Sequence, residues 1–185
     1  MVLLTKNKTL VCPFLIDTLS KLPPTDNSRE SVLFREAVYC VISISPHDLS
    51  DYLAFDDFFL SKLVPESKMD LAIPEWNLIR RRIALILSSW VGVKSSPQYR
   101  SLIYDILLSF MKIDDLVVQM TAVSALRVVL DDFEFDGPTF HPYLHAFTER
   151  FMVLLGQVDE FDSKIKIIQA LIVVIERMEG QVLSY

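Results

Sequence analysis

The sequence predicts an all-α fold in which antiparallel helix pairs stack into a right-handed α-solenoid. Three observations predict it. The 185 residues are 51% hydrophobic yet contain only 4 Gly against 9 Pro, which disfavours turn-rich sheets and glycine-cradled nucleotide sites. Apolar residues between the breakers recur at helical spacings of three and four. The helices that open each pair start near residues 30, 76, 114 and 160, a step of 46, 38 and 46 residues. A compact helical bundle stands as the alternative.

Thr9 to Leu19 reads as a first apolar helix, followed by the loop Pro23-Pro24-Thr25-Asp26-Asn27-Ser28. Glu30 to Ser45 is a second helix, stopped by Pro46. Leu49 to Val64 is a third, broken near Asp56 and closed by Pro65. Trp76 to Val91 is a fourth, after Pro74. Ser96-Pro97 is a start signal, a hydroxyl cap followed by proline at the first helical position, for a fifth helix to Met111. Asp114 caps a sixth that runs to Leu130. The loop Asp131 to Thr139 has Gly137-Pro138 as its breaker, and a seventh helix spans Phe140 to Leu155. An eighth opens at Asp159 to Ser163 and runs to Met178, with Gly180 where a stop is expected. The chain thus reads as one array segment over residues 1–185: a helix at 9–19, pairs at about 30–64, 76–111 and 114–155, and a helix at 160–178.

The helices differ in how much of their circumference is apolar. In the fifth, Tyr99, Leu102, Ile103, Ile106, Leu107 and Phe110 form one stripe, the mark of a half-buried helix. In the sixth, Thr121, Ser124, Arg127 and Asp131 leave only a narrow polar stripe. The eighth is similar, and such helices touch neighbours on more than one side. Stacked units do this, because one unit cannot bury its apolar face alone. Two of the three steps fall in the range of HEAT and armadillo units, roughly 40 to 47 residues, and the third lies just below it. Leu10 to Ile16 and Ile165 to Ile175 are as apolar as the middle, where capping repeats carry a polar outer face. That surplus is expected to belong to missing neighbours and to make the isolated chain prone to aggregate.

Composition excludes several classes. The longest uncharged apolar stretches, Ile83 to Val93 and Leu116 to Leu126, have eleven residues each, whereas a membrane span needs about 18 to 20. Lys6 and Lys8 before Leu10 to Ile16 imitate a signal peptide, but Asp17 interrupts the run and no small-residue cleavage site follows. A net charge of -6 and a pI near 5.0 argue against nucleic acid and leave room for basic protein partners. Cys12 and Cys40 lack a CxxC spacing and read as buried, reduced thiols.

Two segments carry a family resemblance. Ile79-Arg80-Arg81-Arg82-Ile83-Ala84-Leu85-Ile86-Leu87-Ser88-Ser89-Trp90 resembles the first helix of a mid-array HEAT repeat in importin-β-type nuclear transport receptors. Asp114 to Leu126, continuing into Asp131-Asp132-Phe133-Glu134-Phe135, is similar to the importin-eleven branch, as is Ile175 to Val182. The resemblance covers about Glu30 to the end. It implies HEAT-type helix pairs, binding of protein cargo with basic segments, spring-like curvature, contact with nucleoporins, and residence in cytoplasm, nucleus and nuclear envelope. It implies no cofactor, no nucleic acid and no membrane. Such receptors are several times longer, and their N-terminal repeats, which contact the GTPase Ran, have no counterpart here. The chain is therefore expected to be a fragment, a truncated product or a degenerate copy. A generic HEAT scaffold is the alternative function.

Three groups of side chains are candidates for chemistry or contact. His141, His145 and Glu149 share one helix face at the spacing of a zinc site, but the HExxH signature is absent. A solvated outer face also explains them, and no phosphate loop, GxSxG or CxxC pair supports an enzyme. Asp131, Asp132, Glu134 and Asp136 alternate with Phe133 and Phe135, a negative field with aromatic anchors for a basic segment. The alternative is that the phenylalanines tuck inward and the carboxylates face water. Arg80, Arg81 and Arg82 span roughly 200° of a helix. Arg81 or Arg82 is expected at a seam between repeats, paired with Asp114 or Asp115 in a structural ladder. Trp76 and Trp90 read as repeat core, with Trp76 partly exposed as the alternative.

Overall fold

The computed structural model describes residues 7–23, 28–69 and 73–178. The loop residues 24–27, the terminal residues 1–6 with Lys6, and the expected stop at Gly180 lie outside the described residues. Among those described, every regular element is a helix. The chain divides into two compact units between Ser95 and Ser96.

The first unit contains α1 (Lys8–Ser20), α2 (Arg29–Ile44), the single turn α3 (Pro46–Leu49), α4 (55–67) and α5 (Trp76–Trp90). Ser28 caps α2, its hydroxyl accepting from the Ser31 amide at 3.2 Å, and Glu30 sits in the first turn where the helix dipole favours it. One face of α2, with Val32, Val38, Tyr39 and Ile42, is buried and packs on α5. The facing side of α5 buries Trp76, Ile79, Ile83, Ile86, Leu87 and Trp90. Trp76 is fully buried, which removes the partly exposed alternative. The Trp90 indole donates to the Ile42 carbonyl at 3.0 Å, and its ring stacks on Phe55 at 4.7 Å. Such a ring brings a large apolar area and still satisfies its one donor.

The third expected helix is the one the structure redraws. Residues 50–54 separate α3 from α4, so the break precedes Phe55. Pro65 does not close α4, which continues to Ser67. The reason is a π turn over Phe59–Leu63 immediately before it. An interior proline lacks the amide for the helix ladder and collides with the carbonyl four residues back. The wider π turn ends there and lets the chain pass Pro65 with helical geometry. Phe55, Phe58, Phe59 and Leu63 of α4 are all buried.

A buried ion pair ties α2 to α4. Arg35 donates to Glu66 at 2.5 Å and to the Pro23 carbonyl, and the Tyr39 hydroxyl donates to the second Glu66 oxygen at 2.9 Å. Burial pushes the Glu66 carboxyl up, while Arg35, the Tyr39 hydroxyl and Lys62 pull it back. Burial and the Glu66 charge push the Tyr39 phenol up.

The second unit holds a 3-10 turn (Pro97–Tyr99), α6 (Arg100–Phe110), α7 (Leu116–Leu130), α8 (Gly137–Gln157) and α9 (Phe161–Met178). Ser96-Pro97 starts this run, though its first turn is 3-10. Asp115, not Asp114, caps α7, its carboxylate accepting from the Val118 amide at 3.0 Å. Gly137-Pro138 opens α8 instead of breaking the chain: Asp136 is the cap, and the proline occupies the first turn where its missing amide costs nothing. The buried stripe of α8, Phe140, Leu144, Phe147, Phe151 and Leu154, stacks ring on ring, with Phe140 and Phe147 centroids 5.7 Å apart. α7 packs on α6 and α9 through Val118, Ala122, Val123, Ala125, Leu126, Val129 and Leu130, but its other side is not buried as the sequence predicts: Leu116, Val117 and Val128 are exposed. α9 buries Ile167, Ala170 and Val174 but exposes Phe161, Ile168, Ile172 and Ile175 as one stripe. Leu10 and Phe14 are likewise exposed on α1.

Cys12 is buried and Cys40 half-buried, both as free thiols. No helix among the described residues is long and apolar enough to cross a membrane.

Glu66→Ala is expected to destabilise the protein by about 3–5 kcal/mol, the cost of leaving a buried guanidinium without its partner. The paired change Arg35→Met with Glu66→Leu should cost much less. Urea unfolding followed by circular dichroism checks both.

Candidate docking loop

The turn between α7 and α8, residues 131–136, brings together the acidic and aromatic residues that the sequence singles out. It starts where α7 ends, with the Asp131 amide donating to the Arg127 carbonyl, and it turns tightly, with the Phe135 amide donating to the Asp132 carbonyl at 3.2 Å. Its conformation is then fixed at three points by the carboxylates themselves.

Asp131 receives Arg177 of α9 twice from one nitrogen, on its carbonyl at 2.9 Å and its carboxylate at 3.0 Å. Asp132 is nearly buried and pairs with Arg100, which α6 holds inside the unit. Asp136 caps α8, accepting from the Thr139 amide at 2.9 Å and from the Thr139 hydroxyl. Those two bonds hold its carboxyl below the usual aspartate value. Glu134 stands 3.9 Å from Arg100, and its side chain is 54% exposed. Three of the four expected partner-binding carboxylates therefore have intramolecular work.

The two phenylalanines divide between the expected alternatives. Phe135 tucks inward, its ring 5.9 Å from Phe140, and the Arg177 guanidinium lies 5.9 Å above it. Phe133 points the other way and is 99% exposed. Nearby Tyr104, against Phe140 at 5.1 Å, has its phenol pushed up to about 12 by burial.

Arg82 is held by Glu36 and Ser43 of α2, at 2.9 Å and 3.1 Å. α5 turns this residue toward the helix it packs on, which precedes it in the chain, and Asp115 is occupied as a cap. Arg81 and Asp114 are exposed. Glu36 and Arg82 are 46 residues apart, and so are Asp131 and Arg177. That common step is the sequence signal that would have found both pairs. Arg35–Glu66 and Arg100–Asp132, at separations of 31 and 32, have no periodic signature.

His141, His145 and Glu149 lie on the exposed side of α8, and no group of three or more His, Cys, Asp or Glu among the described residues is arranged to hold a metal ion.

No protein-family model matches the chain. It is 30% identical over 181 residues to importin-11 of Homo sapiens, covering 97% of this chain and 18% of that protein, and importin-11 of Mus musculus matches equally. It is 33% identical over 155 residues to the importin beta-like protein KAP120 of Saccharomyces cerevisiae, covering 80% of this chain and 14% of that protein. Among solved structures it matches Lph2, described as a novel bidirectional nuclear transport receptor in S. cerevisiae. The TM-score is 0.84 at 27% identity, over 92% of this chain and 18% of that one. The helix-pair fold is thus that of an importin-type helical solenoid. The chain spans less than a fifth of the length of these relatives.

Arg82→Ala is expected to lower the melting temperature, and Arg81→Ala, on an exposed face, to leave stability within about 0.5 kcal/mol. The contribution of the Asp136 cap has a fixed pH sign. A carboxyl held below its usual 3.8 stabilises the fold fully above that value and loses this as pH falls through the lowered pKa. Asp136→Asn should therefore flatten the fall in stability on acidification, measured as melting temperature from pH 5 downward.

Proposed function

We infer, from homology to importin-11 and KAP120 that runs through most of the chain, that this protein is an importin-β-type nuclear transport receptor segment that binds protein cargo along its helix pairs. Its homologues are transport receptors, not enzymes. Receptors of this class shuttle between cytoplasm and nucleus, and the same distribution is proposed here.

The homology is the observation that carries the reading, and the fold fits it. Within the first unit α2 packs on α5, and within the second α7 packs on α9, the helix-on-helix contact that stacked repeats are built from. A net charge of -6 suits basic cargo, because complementary charge speeds encounter and rejects acidic competitors. Asp131, Asp132, Glu134 and Asp136 are proposed to shape the negative loop that meets such cargo, Glu134 by contact and the other three by holding it. Of the four residues expected to form a ladder, Arg82 and Asp115 are proposed to have structural roles.

The test uses the immobilised chain incubated with a mixture of basic and acidic proteins of similar size. A cargo-binding role predicts that the basic proteins are retained severalfold more than the acidic ones, and that added salt releases them. Equal retention of the two sets would overturn the cargo reading.

A further inference from the structure

We propose that Phe133, together with the next residue Glu134, is a subsite for an arginine side chain of a basic protein partner. This rests on the reading of the chain as cargo-binding and names the contact within it.

The first observation is the ring itself. Tyr104, Phe110, Phe140, Phe147 and Phe151 of the same unit are all buried, whereas Phe133 is 99% exposed. A loop free to rearrange would fold such a ring against apolar surface, since burial of a phenylalanine is favourable by about 1.5–3 kcal/mol. This loop is not free. Arg177 grips Asp131 before the ring, Arg100 grips Asp132 next to it, and Thr139 grips Asp136 behind it. The ring is held in solvent by a buried ion pair on one flank and a helix cap on the other.

The second observation is an arginine already seated on the same loop. The Arg177 guanidinium lies 5.9 Å over the Phe135 ring while its nitrogen bonds the Asp131 carboxylate. An aromatic face and a carboxylate together take a guanidinium, through the ring quadrupole and a charge-assisted hydrogen bond. Phe133 and Glu134 are consecutive on the same loop and both reach solvent, the ring 99% exposed and the carboxylate 54% exposed at 3.9 Å from Arg100, so the loop offers an incoming guanidinium the same two kinds of group.

Charge selects the partner. An apolar pocket alone would meet the carboxylates of Asp131 and Glu134 at its rim and have to desolvate them. An anionic membrane or nucleic acid would be repelled. Arginine is preferred to lysine because a planar, weakly hydrated guanidinium stacks on a ring while it pairs with a carboxylate.

The experiment is fluorescence polarisation at low salt with the full 185-residue chain. The probe is a fluorescein-labelled Gly-Arg-Gly-Arg-Gly-Arg-Gly peptide, with its lysine counterpart for comparison. The arginine peptide is expected to bind severalfold more tightly. Phe133→Ala should weaken it about two- to fivefold, the range for an exposed cation–π contact. Glu134→Gln should also weaken it, and Phe133→Trp should restore or tighten it, since indole is the best partner. Thermal melting should be unchanged in Phe133→Ala, because the ring lies outside the core. Equal binding by Phe133→Ala and the parent, or no preference for arginine, overturns the subsite. If the chain still retains basic proteins over acidic ones in that case, the cargo-binding reading survives and only this contact falls.

Discussion

An arginine taken out of water keeps its charge, so a carboxylate has to follow it inside. Each unit of this protein contains one such residue. In the first, Arg35 of α2 draws Glu66 from the far end of α4; in the second, Arg100 of α6 draws Asp132 from the turn after α7. Apolar packing alone would tolerate small slides of one helix along another. A buried pair does not, because a displaced partner leaves an unanswered charge at low dielectric. These pairs specify where the irregular segments sit. The helix stacking then follows from shape, and the Phe133 loop follows from the position of Asp132.

The balance of forces differs between the stacked faces and the loop. Between α2 and α5 the contact is largely apolar and aromatic, with Trp90 and Phe55 at its centre, and Arg82–Glu36 edges it. Around residues 131–136 little apolar area is available, so polar contacts with arginines and a helix amide do the holding. Such contacts are directional, and they can keep a hydrophobic side chain facing water. Packing would have pulled it in.

The helices were legible in the sequence because they depend on periodicity. The buried stripe of α6 and the Ser96-Pro97 start both survive in the structure. What escaped depends on context that one local pattern cannot contain. Pro65 reads as a stop, and only the π turn before it lets α4 continue. Gly137-Pro138 reads as a breaker until Asp136 is recognised as the cap in front of it. The acidic turn was legible as a cluster, but its division of labour was not. Asp132 and Glu134 look alike in sequence; one is buried on Arg100 and the other reaches solvent. Side-chain direction in a turn is set by its tertiary partners, and those lie on α6 and α9, far away in sequence.

The π turn in α4 has a bearing on how the chain tolerates changes in length. It accommodates more residues per turn than an α-helix does, which makes it the geometric equivalent of an insertion. Deleting one residue among 59–63 would let α4 close into a regular α-helix with the residues beyond it still in nearly their present orientation, because the turn already holds the extra residue. The same deletion in a regular turn of a helix would swing everything beyond by about 100° about the helix axis. Homologous chains should therefore accept the loss of one residue in this stretch more readily than in the regular helices.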